Sequence, residues 1–88
     1  GTIGAIDNQS IITANNNSGI YNVLGSITTI ENEAGAQINA HNTGIRNTGT
    51  IDTITNAGTI NGTTFAAIDN TPGTIGWINN TGLMEGAL

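Results

Sequence analysis

The stretches Gly1–Ile6 (GTIGAI), Gly25–Ile30 (GSITTI), Gly49–Ile54 (GTIDTI) and Gly73–Ile78 (GTIGWI) decide the reading of this chain. They share the pattern Gly-Thr/Ser-Ile-x-x-Ile and begin a constant 24 residues apart. A fixed period of this size marks a solenoid, in which each repeat forms one coil and buries its apolar side against the next. Most side chains of such a chain build ladders, and few are left for chemistry.

A second pattern runs through the same coils: Ile-x-Asn, then Gly, then an apolar residue. One series is Ile6-Asn8-Ile12, Ile30-Asn32-Gly35-Ile38, Ile54-Asn56-Gly58-Ile60 and Ile78-Asn80-Gly82-Met84. The other is Ile20-Asn22-Gly25-Ile27, Ile45-Asn47-Gly49-Ile51 and Ile68-Asn70-Gly73-Ile75. Ile and Thr are β-branched and favour strands, whereas Asn and Gly tolerate turns. Alternate residues of a strand face the same side. The expected core ladders are therefore Ile3, Ile27, Ile51 and Ile75 together with Ile6, Ile30, Ile54 and Ile78. Asn8, Asn32, Asn56 and Asn80 form one expected amide ladder, and Asn22, Asn47 and Asn70 a second. Stacked amides can hydrogen-bond along the axis, which a column of carboxylates could not do without repulsion.

Ile3 and Ile6 are three apart, as are their counterparts in later coils, and two such residues cannot both face inward from one straight strand. A corner is expected at Gly4-Ala5, Thr28-Thr29, Asp52-Thr53 and Gly76-Trp77, with two more at the Asn-Gly bends. The fold class that follows is all-β: a right-handed parallel β-helix of roughly triangular section, about 24 residues per coil and between three and four coils. Residues 1–88 are read as a single solenoid segment with coils starting at 1, 25, 49 and 73, part of a longer stack. The arms Thr13–Gly19, Asn39–Gly44 and Asn61–Ala67 vary most between coils and are the default place for partner contacts.

The net charge is −5, Arg46 is the one Lys or Arg, and there is no cysteine. Phosphate-backbone binding requires several cations, so nucleic-acid partners are excluded, and an anionic membrane surface is disfavoured. No apolar run is long enough for membrane insertion of this segment. No disulfide or thiolate metal site is possible.

The segments NTGTIDTITNAGTINGTTFAAIDN (47–70) and NTPGTIGWINNTGLMEG (70–86) resemble the parallel β-helix repeats of bacterial autotransporter passengers, the type V secreted adhesins. The resemblance implies a right-handed β-helix exported to the cell surface. The absence of cysteine is in keeping with passengers that cross the periplasm unfolded.

Few residues invite a chemical role. Asp7 and Glu31 share an outward column, one coil apart, and could hold Ca²⁺ or act as a glycosidase pair. The plainer reading is a solvated acidic edge. His41 and Arg46 lie in and after one arm without an acid cluster beside them. Ser10, Ser18 and Ser26 lack a His/Asp partner set. The hydroxyl column Thr2, Ser26, Thr50 and Thr74 lacks the second regular column that ice binding requires, since its neighbour runs Gly4, Thr28, Asp52, Gly76. Asn8, Asn16, Asn61 and Asn79 each begin a glycosylation sequon, which chance explains in so Asn-rich a chain. Tyr21 and Trp77 are expected to face out as isolated surface aromatics, and Phe65 to fold inward.

The expectation is a non-enzymatic chain without metal or cofactor: a structural, adhesive β-helix stalk of a secreted or cell-surface bacterial protein. The alternative is a self-assembling subunit that stacks end to end into an extracellular filament. Expected partners are neighbouring coils of the same or an identical chain, and a host or cell-surface receptor or glycan.

Overall fold

The alternation of β-branched residues with Asn and Gly is realised as eleven short strands. The computed structural model describes residues 1–87. In chain order the strands are β1 (Thr2–Asn8), β2 (Ile11–Ala14), β3 (Ser18–Asn22), β4 (Ser26–Asn32), β5 (Gln37–Ala40), β6 (Thr43–Asn47), β7 (Thr50–Asn56), β8 (Thr59–Gly62), β9 (Ala66–Asp69), β10 (Thr74–Asn80) and β11 (Leu83–Gly86). No helix among the described residues is long and apolar enough to cross a membrane.

Each strand from β1 to β8 pairs in parallel with the strand three places later. This produces three sheets, ordered β1-β4-β7-β10, β2-β5-β8-β11 and β3-β6-β9. The chain is a parallel β-solenoid of about four turns. Register places like on like: Ile3↔Ile27↔Ile51↔Ile75, Ile6↔Ile30↔Ile54↔Ile78 and Asn8↔Asn32↔Asn56↔Asn80 in the first sheet. Ile12↔Ile38↔Ile60↔Met84 line the second sheet, and Ile20↔Ile45↔Ile68 the third.

Three strands per coil form, but one corner differs from expectation. The seven-residue strands β1, β4, β7 and β10 run unbroken through the positions where a corner was expected. The two inward isoleucines are accommodated by a local bend, with Thr28 exposed and Thr29 half-buried between them, and the ladder pairs skip Gly4, Thr28, Asp52 and Gly76. The third corner lies instead at the tips of the variable arms, at residues 15–17, 41–42 and 63–65.

A second difference concerns the long turn of coil two. Gln37 pairs with Thr59, so Ala36 stacks on Gly58, and Gly35 does not. Glu33–Ala36 is a tight turn closed by Ala36 N–H donating to the Glu33 carbonyl (3.0 Å), with Gly35 at φ +80°. That is the position a type II turn reserves for glycine. The two extra residues therefore bulge outward at the corner, while the inward columns stay in register.

The core is a stack of isoleucines. Ile30, Ile38, Ile45, Ile51, Ile54 and Ile60 are fully buried, and Ile27 nearly so. Each is worth roughly 1.5–3 kcal/mol of burial. Space between the second and third sheets is tight. A Cβ on Gly44 would lie 2.6 Å from both Ile60 Cγ2 and the Ala67 carbonyl oxygen, so glycine is required for this approach.

Asn side chains supply the polar half of the interior. Asn8 Nδ2 donates to Asn32 Oδ1, Asn32 to Asn56 and Asn56 to Asn80, each at 2.8 Å. At the other bend Asn22 donates to Asn47 and Asn47 to Asn70, again at 2.8 Å. The same amides also cap backbone carbonyls of the next coil: Asn8 on Gln37, Asn32 on Thr59, Asn56 on Leu83, Asn22 on Thr50 and Asn47 on Thr74. A bend interrupts the strand ladder and leaves carbonyls without partners, and Asn is the residue that carries both a donor and an acceptor into that gap. No buried side-chain nitrogen or oxygen among the described residues lacks a partner.

Candidate functional site

With the interior committed to the stack, chemistry is confined to outward columns. The most structured of these lies on the third sheet. The residue after each inward isoleucine points outward, and register stacks Tyr21 on Arg46 and Arg46 on Asp69. The Arg46 guanidinium carbon sits 4.9 Å from the Tyr21 ring centroid, and its Nε lies 3.9 Å from Asp69 Oδ2. An exposed cation–π contact is worth about 0.5–1 kcal/mol and a surface ion pair ~0–1 kcal/mol. These contacts orient the guanidinium more than they stabilise the fold.

A second column faces the first across a shallow groove. Arm tips stack through their backbones: Asn42 N–H donates to the Asn17 carbonyl (3.2 Å) and Phe65 N–H to the Asn42 carbonyl (3.1 Å). Asn17, Asn42 and Phe65 form one wall, and Tyr21, Arg46 and Asp69 the other, with Ser18 and Thr43 also lining the groove. Thr43 is buried and its hydroxyl donates to Asn42 Oδ1 (2.8 Å), which fixes that amide at the rim. Two hollows result, both bordered by Asn42 and Arg46. One of about 270 Å³ reaches Phe65 and Asp69, and one of about 250 Å³ reaches Asn17 and Tyr21.

Phe65 does not fold inward as expected. Thr64 is held by His41, whose carbonyl accepts from both the Thr64 N–H and its hydroxyl, and Phe65 follows at the rim with 38% of its surface exposed. Tyr21 is outward but not isolated, since it shares a face with Arg46 and the groove. Trp77 is outward, 66% exposed, on the Ala5–Thr29–Thr53–Trp77 column of the first sheet, away from the groove. His41 is exposed at an arm tip and does not line either hollow.

The acidic edge is the other cluster. Asp7 and Glu31 stack in one column, continued by Thr55 and Asn79. Glu33 joins them from the coil-two turn, and one carboxylate oxygen from each of the three lies within 4.8 Å of the others. A hydrogen bond with Asp7 raises the Glu33 carboxyl above its ordinary range. Desolvation and the nearby charges of Asp7 and Glu31 raise it further. The Gln9 amide donates to Asp7 Oδ2 at 3.0 Å, which offsets part of the repulsion. Three such carboxylates can supply three to six of the six to eight oxygens Ca²⁺ takes. Sequence spacing gave no hint of Glu33, because only the turn brings it back over Asp7.

The remaining candidates do not converge. Ser10 lies at a corner, Ser18 on β3 and Ser26 on β4. Thr2, Ser26, Thr50 and Thr74 do stack as an exposed column. Asn8 is held in the buried ladder, so its sequon is closed to modification. Comparison with protein-family models, with curated proteins and with solved structures returns no match.

Proposed function

We propose that this chain is a non-catalytic structural segment, an adhesive β-solenoid stalk of a secreted or surface-displayed bacterial protein. The observation that carries this reading is the division of labour between inside and outside. The buried asparagines are spent on coil-to-coil bonding, and every titratable side chain among the described residues is exposed or half-buried. A rigid rod with a varied flank suits the holding of binding surfaces at a distance from a cell. The passenger-like repeats and the absence of cysteine support the bacterial cell surface as the location. An antibody raised against the folded chain tests this on intact cells of the source organism. Labelling without permeabilisation, together with lower adherence on deletion of the coding region, is the expected outcome. Label that enters only after permeabilisation would refute it.

The polarity of the amide ladders favours a second reading, a subunit that stacks end to end into an extracellular filament. All five Asn–Asn bonds donate in the direction of the chain. One face of the described stack thus offers the Oδ1 atoms of Asn8 and Asn22, and the other the Nδ2 atoms of Asn70 and Asn80. Such faces are complementary head to tail. Solution mass across a concentration series, with electron microscopy of the same samples, decides this point. Fibres of constant width would favour the filament, and a monomer at all concentrations would exclude it.

A further inference from the structure

We infer that the groove on the third sheet is a binding site for a neutral oligosaccharide. The inference gives the adhesive flank proposed above its ligand class and rests on that reading for its biological role. Its chemistry, however, is a property of the chain itself.

Three observations converge. The groove is built from the groups that grip sugars. Tyr21 and Phe65 are aromatic residues 47% and 38% exposed at the groove, and the Tyr21 face opposite Arg46 and the Phe65 ring can meet the apolar face of a pyranose. Arg46, Asp69, Asn17 and Asn42 supply donors and acceptors for its hydroxyls. Next, the geometry repeats at the coil spacing of about 4.8 Å, which is close to the length of one sugar ring in a chain. The two hollows, each bridging adjacent coils and both bordered by Arg46 and Asn42, therefore suit two consecutive rings laid along the solenoid axis. Finally, the charge is balanced. Arg46 is faced by Asp69 at 3.9 Å on a chain of net charge −5, so an anionic ligand gains little here.

An extended peptide fits less well. A peptide that docks by strand addition needs a free sheet edge, and β6, at the centre of the groove, is already paired on both sides by β3 and β9.

The test is a ¹⁵N-resolved titration of the whole chain with maltose, lactose and N,N′-diacetylchitobiose, and with sucrose octasulfate as the anionic comparator. Saturable shifts are expected at residues 17–21, 42–46 and 65–69 for at least one neutral disaccharide, with Kd on the order of 1 mM, and no such saturation with the sulfated sugar. Tyr21→Ala and Arg46→Ala should each weaken binding about tenfold or more. Trp77→Ala, an exposed aromatic outside the groove, should leave it unchanged. Unaltered amide shifts of the buried Ile30, Ile54 and Ile60 confirm that each variant is folded. The inference is overturned by no saturable shift with any of the three neutral sugars, by shifts centred on Trp77, by tighter binding of the sulfated sugar, or by Tyr21→Ala variants that bind as well as the parent. None of these results would bear on cell-surface exposure, so the failure of this inference and of the stalk reading remain separable.

Discussion

The column Asn8–Asn32–Asn56–Asn80 and the column Tyr21–Arg46–Asp69 arise from the same parallel stacking, yet one repeats a single residue and the other never does. Inside, each side chain must satisfy identical neighbours above and below, so the residue that solves the problem once solves it every coil. Outside, solvent satisfies whatever is left over, and each coil is free to carry something different. Position in the column thus separates residues that hold the coil from residues that can meet a partner. Substitutions should fall into two classes accordingly.

The largest effect is expected at the centre of the amide ladder. Asn32→Leu keeps comparable bulk but strips Asn56 Oδ1 and the Thr59 carbonyl of the Asn32 donor, and takes one acceptor from Asn8 Nδ2, which keeps the Gln37 carbonyl. At ~1–3 kcal/mol for each buried group left unpaired, a loss of about 3–5 kcal/mol should appear in urea unfolding. A change below about 1 kcal/mol would erase the distinction between the two columns. Gly44→Ala comes next. Its methyl would press on Ile60 and the Ala67 carbonyl, and overpacking of this kind costs about 1–3 kcal/mol, read as a lowered urea midpoint.

The outer column should behave differently. Arg46→Ala removes one exposed cation–π contact and one surface ion pair, so its unfolding free energy should change by about 0.5–2 kcal/mol. A loss as large as that of Asn32→Leu would show that the groove column is structural after all.

The smallest effect is a pH dependence on the acidic edge. Because the folded-state pKa of Glu33 is raised from 4.5, the native state binds its proton more tightly than the unfolded chain. Glu33 therefore favours folding at pH below about 4.5, and that advantage is lost as pH rises through the raised value. Glu33→Gln should abolish this slope. The variant should gain melting temperature over the parent at neutral pH, and the gap should close at pH 4 and below. A gap independent of pH would locate the effect elsewhere.

The period was legible in the sequence because interior columns repeat, and the parallel solenoid with three sheets follows from it. The misplaced corner has a specific cause. Two inward isoleucines three apart signal a departure from a straight strand, but the signal is the same for a corner and for a bend that keeps its ladder. Only the backbone shows that β4 continues past Thr28. Gly35 was aligned with Gly58 by residue type, whereas register puts Ala36 there, since an outward turn absorbs the extra length. The groove was hardest to see, because outward columns carry no periodicity. Its one available signal was positional: the residue following each inward isoleucine of the third sheet, read down three coils, gives an aromatic, a cation and a carboxylate.

The central claim is that the amide ladders are continuous and hold the coils together. Hydrogen exchange of the Asn side-chain amides tests it directly. Protection of the Asn32, Asn47 and Asn56 Nδ2 protons, comparable to that of the central strand backbone, is the predicted result. Exposed Asn15, Asn16 and Asn79 should exchange freely in the same sample. Exchange of all six at one rate, with the β-structure intact, would contradict it.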